Sequence, residues 1–473
     1  MMLRVSVLAP VSEATRKLSG KPPRAEIALA VAAFALLCAV VLMTAPQLVE
    51  PDDYAYRASI VGITDGHLLT LSAAQVHALA EQLTPRQGAG QPVEFRPGLL
   101  GGAIEQWVRL PSRQWISEKN PGYPFLAAPF QLLGIIRLAP LFYGALACLG
   151  LFAGARRWLG RFGGAAAVGL FCTSGAAMLF AWRDYMPTFT EAALIAAGTG
   201  TLLWAFLATE APARRRSWVG LLGFLAIEAA TFSRYTNVVV LGCAVLAVLA
   251  LRWRRPRSLP PSALRWWLGS AIVFGAGVAV FNALVYGGPL RSGYRPGEIR
   301  FGLGSVLPNL RYMPVHLIEA MPMLVLGLIS LAWIATRWLR IRTRGRRPET
   351  STQIADARRD AAVALALAAS WFGLWGLYAA YNWTAGPGLS TLQSVRFYLP
   401  AIGAIALFGA WLVTRLRRRV PMAALTSAVV VAVLAGLGIW SFTGMTQFRL
   451  GPPHMLHGHV GPPHGRAPNG SSA

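Results

Sequence analysis

Apolar runs of close to 20 residues recur from residue 27 to residue 443, separated by short breaks rich in arginine. A helix needs about 20 apolar residues to cross a hydrocarbon layer about 30 Å thick, so each run is long enough to span. The pattern predicts about eleven transmembrane helices, near 27–45, 138–155, 163–181, 187–208, 217–232, 235–251, 266–286, 314–336, 361–381, 396–414 and 421–443. Residues 217–251 must form two helices, because one straight helix of that length is about 52 Å long. The polar stretch Ser233-Arg234-Tyr235-Thr236-Asn237 is the natural turn between them.

The polar positions also carry pattern. With the N-terminus in the cytoplasm, segments 1–26, 156–162, 209–216, 252–265, 337–360 and 415–420 are cytoplasmic, and they hold 28 of the 44 basic residues. That bias is the positive-inside signature, and it places the C-terminus outside. The chain therefore divides into a basic cytoplasmic segment (1–26), a membrane core (27–443) and an outer tail (444–473). A long first outer loop (46–137) interrupts the core. Within it, Ser72-Ala73-Ala74-Gln75 matches a capping box, with Val76, Leu79 and Leu83 at helical spacing behind it. Residues 121–134 are apolar but too short to span, which fits an interfacial helix. Trp107, Trp115, Tyr123 and Phe130 suit that depth.

Composition narrows the function classes. The chain is 55% hydrophobic and 13% charged, about half the charge of a soluble domain. A net charge of +25 would fit nucleic acid, but the basic residues lie in scattered clusters between apolar runs rather than on one face, so a nucleic-acid partner is excluded. Only three basic residues are lysines, and with the abundant Ala, Gly and Pro this points to a bacterial plasma-membrane protein. Cys38, Cys148, Cys172 and Cys243 all sit in apolar runs and read as small core residues. His454, His457, His459 and His464 lie among Pro and Gly, a composition that points to a solvated, disordered tail.

Ionisable residues near apolar runs are the candidate chemistry. Glu191, Glu228, Glu319, Arg137, Arg183, Arg234 and Arg396 all fall at the outer-leaflet level, as expected for a cavity opening outward. Glu50-Pro51-Asp52-Asp53-Tyr54 follows the first span directly. One carboxylate of such a pair can take a proton from a hydroxyl, or the pair can hold a divalent cation. Lys119 is the only lysine beyond the N-terminal segment and could neutralise a lipid phosphate.

Several of these stretches, in this order, resemble membrane glycosyltransferases of the GT-C fold, in particular the protein mannosyltransferase-like and lipid A aminoarabinose transferase-like group. They are Asp52-Asp53, Lys119-Asn120-Pro121-Gly122-Tyr123-Pro124, Pro187 to Glu191, Asn282 to Tyr294, and Arg396-Phe397-Tyr398-Leu399-Pro400. The resemblance implies a polyprenyl-phosphate sugar donor used at the outer face, and a lipid, glycan or protein acceptor. It implies an inverting displacement with Asp52 or Asp53 as general base, and phosphate contacts drawn from Lys119, Arg183, Arg234, Arg291 and Arg396. Glu191 and Glu228 would be the acidic groups of the cavity. Asp52, Asp53 and Glu191 are hard oxygen ligands that suit Mg or Mn. A transporter or flippase and a non-catalytic relative are the competing readings, and the residues alone leave the two aspartates unseparated.

Overall fold

The computed structural model describes residues 22–45, 51–67, 69–83, 106–110, 112–254, 259, 261–294, 297, 299–343, 351–386, 392–417 and 423–447. Most of the basic N-terminal segment, Glu50 and the four tail histidines lie outside the described residues.

The chain is a helical polytopic membrane protein. Its membrane core consists of α1 (Arg24–Met43), α5 (Leu138–Leu159), α6 (Gly163–Cys172), α7 (Gly175–Trp182), α8 (Pro187–Leu207), α9 (Ala213–Ser233), α10 (Val238–Arg254), α11 (Pro261–Tyr286), α13 (Met323–Thr343), α14 (Ser351–Ala379), α15 (Ile402–Arg417) and α16 (Ala423–Gln447). The first loop supplies α2 (Pro51–Thr64), α3 (Ala73–Leu83), the hairpin β1 (Trp107–Arg109) and β2 (Trp115–Ser117), and α4 (Gly122–Leu132); α12 (Val306–Ala320) precedes α13. Among the described residues, eight helices are long and apolar enough to cross a membrane, and the bent pair α6–α7 makes up to nine. Large apolar side chains on their outer faces, such as Ile272, Val273 and Leu284 on α11, stand exposed, which only a lipid solvent tolerates.

Two predicted spans take a different form. The run 163–181 is broken at Thr173–Ser174 and bends by 59°. The Thr173 amide and hydroxyl both donate to the Gly169 carbonyl, closing α6, while extended Ser174 starts α7 and its hydroxyl donates to the Ala320 carbonyl. The run 314–336 is likewise two helices, because Pro322 disfavours the helical region for Met321, which sits at φ −135°, ψ 71°. Glu319 therefore belongs to the short helix α12 rather than to a span. The break predicted at 233–237 is present: α9 ends at Ser233, Arg234 is extended, and a 3-10 turn covers Tyr235–Asn237.

Small residues let the core close tightly. α5 and α8 cross where Gly150 meets Ala197 and Gly154 meets Gly200, and a β-carbon on any of these glycines would strike opposing backbone.

The two ends of the bundle are chemically distinct. At one end Arg156 pairs with buried Glu26 at 2.5 Å, and Arg157 pairs with Glu210. Beside them Asp360 accepts from the indoles of Trp158 and Trp411 and from Arg415, with Arg337 at 3.7 Å. All of these residues except Trp411 come from five of the six segments predicted as cytoplasmic. The first loop gathers at the opposite end with the buried charges Asp53, Lys119, Arg183, Asp184 and Glu191.

In the first loop, the capping box forms as predicted. The Ser72 amide donates to Gln75 Oε1 at 2.7 Å, and the Gln75 amide donates to Ser72 Oγ at 3.3 Å. Trp107 and Tyr123 are taken up by protein packing: Trp107 joins Ala58, Val61, Leu71, Val76 and Leu79, and Tyr123 joins Tyr56, Ile60 and Ala127. On α4 it is Phe125 and Leu132 that remain exposed. Arg137 caps α1 from outside, donating to the carbonyls of Val41, Leu42 and Thr44 that the helix end leaves open.

Candidate functional site

Asp52 and Asp53 occupy the first turn of α2, where the partial positive charge of the helix end favours carboxylates. Neighbours on a helix point about 100° apart, so the two acids face different partners. Asp53 is buried against α7: Arg183 Nη2 donates to Oδ2 at 2.6 Å and Nε to Oδ1 at 3.3 Å, and neither side chain is more than 1% exposed. Arg183 Nη1 also donates to Gln393 at 3.0 Å.

Asp52 is 17% exposed and holds the centre of the cluster. Lys119 Nζ lies 3.1 Å from Oδ1, Gln106 Nε2 donates to the same oxygen at 2.9 Å, and Arg396 Nη2 lies 3.4 Å from Oδ2. The hairpin explains the meeting of Gln106 and Lys119. Its register pairs Trp107 with Ser117, which sets Gln106 opposite Glu118 and delivers the next residue, Lys119, to the same point. Glu118 contacts Lys119 at 3.2 Å, and Tyr294 lies on its other side with the hydroxyl 3.4 Å from Nζ.

A second network adjoins it. Glu191, one turn into α8 and fully buried, pairs with Arg234 Nε at 3.1 Å and accepts from Asn237 Nδ2 at 2.9 Å. Arg234 Nη2 donates to Thr188 at 3.3 Å. The guanidiniums of Arg234 and Arg396 both lie over the ring of Phe397, at 5.4 and 4.8 Å from its centre. Tyr378 packs on the same ring and shares a hydrogen bond with Thr236.

The electrostatics follow from these contacts. Burial alone would raise the Asp52 carboxyl, but Lys119, Gln106 and Arg183 outweigh it and hold the pKa below the usual range. Burial alone would lower the Lys119 ammonium, yet Asp52, Tyr294 and Glu118 hold it well above its usual value. Burial pulls Arg396 down to about 10, which leaves it cationic at neutral pH. Asp184, buried next to Arg183, is pushed up to about 6 by burial, with Arg137 opposing and Asp53 adding to the rise. Four carboxylates (Asp52, Asp53, Glu118, Glu191) thus face four cations (Lys119, Arg183, Arg234, Arg396), and an incoming anion must compete with carboxylates for them.

The structure brings together Asp52, Asp53, Lys119, Arg183, Arg234, Arg396 and Glu191. It does not bring in Arg291 or Glu228. Arg291 is exposed on the turn after α11, and Glu228 accepts from Ser270 between α9 and α11. Sequence reasoning missed Gln106, Asn237 and Gln393 as partners, and Phe397 and Tyr294 as aromatic contacts. Tyr294, Phe397 and Asn237 lay inside stretches already singled out, whereas Gln106 and Gln393 are neutral amides that carry no signal of their own. Among the described residues no group of three or more His, Cys, Asp or Glu side chains is arranged to hold a metal ion. Asp52 and Asp53 spend their oxygens on cationic partners, so these residues do not fit Mg or Mn.

No protein-family model matches the chain, and no curated protein does. Solved structures do. The chain is similar to the oligosaccharyltransferase of Archaeoglobus fulgidus in the apo form, with 13% identity, a TM-score of 0.48, and coverage of 88% of this chain and 55% of that one. It is also similar to ArnT from Cupriavidus metallidurans bound to undecaprenyl phosphate, with 16% identity, a TM-score of 0.48, and coverage of 88% of this chain and 64% of that one. The chain thus spans between half and two thirds of the length of these proteins.

Proposed function

We propose that the protein is a glycosyltransferase of the GT-C type. In this reading it moves a sugar from a polyprenyl-phosphate donor to an acceptor hydroxyl at the outer face of a bacterial plasma membrane. The observation that carries the reading is Asp52, a partly accessible carboxylate held between Lys119 and Arg396 at the end of the bundle opposite the basic clusters. The positive-inside bias puts that end outside.

Asp52 is the base and Asp53 is not. Asp53 is closed off by Arg183, whereas Asp52 is exposed on the side where the cations gather. Donor phosphate competes for Lys119 and Arg396 and draws them off the Asp52 carboxylate, which restores its basicity. Asp52 then takes the proton of the acceptor hydroxyl. The acceptor oxygen forms a bond to the anomeric carbon from the face opposite the phosphate, and the bond from that carbon to the phosphate oxygen breaks. The electron pair leaves with the polyprenyl phosphate, and Lys119, Arg234 and Arg396 stabilise the charge that develops on it. Arg183 keeps α2 in place through Asp53.

The test is transfer from a panel of undecaprenyl-phosphate sugars by protein reconstituted in liposomes, with cell-envelope extract as acceptor. Asp52→Asn is expected to insert and fold but to lose transfer. Full transfer by Asp52→Asn overturns the assignment of the base. Mass spectrometry of envelope glycans, lipids and glycoproteins from a deletion strain identifies the sugar and the acceptor.

A further inference from the structure

Arg234 and Arg396 come from distant parts of the chain and are held by different carboxylates, Glu191 and Asp52. They nevertheless share one platform. Phe397, in the 3-10 turn Leu392–Phe397, has both guanidiniums within 5.4 Å of its ring centre. Its own position is fixed by Tyr378 at 5.2 Å and by Tyr381, edge-on at 5.0 Å. A guanidinium above a ring uses its face for the cation–π contact and keeps its in-plane N–H donors free. An ion pair does the opposite and consumes those donors. Arg234 Nη1 is buried and makes no hydrogen bond. A buried donor of this kind is unfavourable unless a ligand meets it. The platform thus restrains both guanidiniums through their faces, while Glu191 and Asp52 each take one edge.

We propose that Phe397 is a positioning residue that sets Arg234 and Arg396 as one clamp on a single phosph(on)ate-type anion. The ligand class rests on the donor reading above; the positioning of the two arginines does not. A bulky aliphatic side chain would fill the space but offer no π face, and both guanidiniums would lose that restraint. A tyrosine or tryptophan would keep the face.

Two measurements on full-length protein in nanodiscs separate these ideas. The first is the affinity for undecaprenyl phosphate, with inorganic phosphate as the headgroup probe. Phe397→Leu is expected to weaken lipid-phosphate binding about tenfold, with most of the effect in donor KM rather than kcat, and Phe397→Tyr is expected to restore it. Loss of Arg396 in a Phe397→Leu background should weaken binding by less than it does in the parent, because the two act together. The second measurement needs no ligand: phenylglyoxal labelling of Arg234 and Arg396, read by mass spectrometry. Both are expected to label faster in Phe397→Leu and at the parental rate in Phe397→Tyr. If Phe397→Leu binds and labels like the parent, or if Phe397→Tyr is as impaired as Phe397→Leu, the clamp is overturned. If the parent binds no lipid phosphate while the labelling pattern holds, the donor reading fails and the positioning stands.

Discussion

The division of labour between the two aspartates can be tested through stability, without any knowledge of the substrate. Asp53 and Arg183 form a two-point ion pair, at 2.6 and 3.3 Å, with both side chains essentially out of solvent. Removing one member of such a pair leaves an uncompensated buried charge, which costs about 3–5 kcal/mol, whereas removing both together costs far less. Asp53→Ala and Arg183→Ala should each therefore lower stability by roughly that amount, and the double substitution should recover part of the loss. Gln393 also accepts from the guanidinium head, at 3.0 Å, and a neutral amide cannot replace the lost charge. Asp52→Ala removes a carboxylate that is 17% exposed, and its partners keep other contacts, Lys119 with Glu118 and Arg396 with the Phe397 ring, so its effect on stability should stay below about 2 kcal/mol. The assay is thermal unfolding of purified protein in one detergent, followed by tryptophan fluorescence and size-exclusion recovery. If Asp53→Ala unfolds within about 1 kcal/mol of the parent, or if the double variant is as unstable as the sum of the singles, the pair does not lock α2 to α7 and the two aspartates are not separated as argued.

Two further outcomes are expected. The Asp184 carboxyl is raised from 3.8 to about 6, so the folded state holds more protons than the unfolded state between about pH 4 and 6; stability should fall as pH rises through that window and stay flat above it, by up to about 3 kcal/mol, and Asp184→Asn should flatten the profile in unfolding curves taken from pH 4 to 8. Gly293 packs its α-carbon onto the backbone of Glu118, with no room for a β-carbon, so Gly293→Val should push the Lys119 segment away from Asp52 and weaken lipid-phosphate binding severalfold while leaving the helical circular-dichroism signal unchanged. Parental affinity in that variant would show that Lys119 is placed by the hairpin alone.

The parts of this protein that were legible in its sequence are those written in one-dimensional periodicity. Apolar run length marked the spans, arginine spacing marked their ends, and a Ser-Ala-Ala-Gln signature marked the start of α3, because each depends on residues close together in the chain. The bend at Thr173–Ser174 was not legible, since a run of apolar residues reads the same whether or not a threonine hydroxyl bonds back to Gly169 and a serine reaches over to Ala320. The site shows the same boundary. Charged residues announced themselves by being out of place in an apolar chain, and seven of the nine given a role in the site meet at one end. Their pairing was not announced. Asp52 and Asp53 are adjacent in sequence and equivalent in type, and only the turn of α2 sends one into Arg183 and the other toward Lys119 and Arg396. Glu228 lies about as far from its helix end as Glu191, yet their partners separate them: Ser270 ties Glu228 to α11, and Asn237 with Arg234 ties Glu191 to the site. In a membrane protein this is the expected division, because the bilayer dictates where polarity is forbidden and tertiary contact alone dictates which of the surviving charges meet. The arrangement of the charged cluster therefore depends on a few neutral and aromatic residues, Gln106, Asn237 and Phe397 among them, whose only distinction is where the fold puts them.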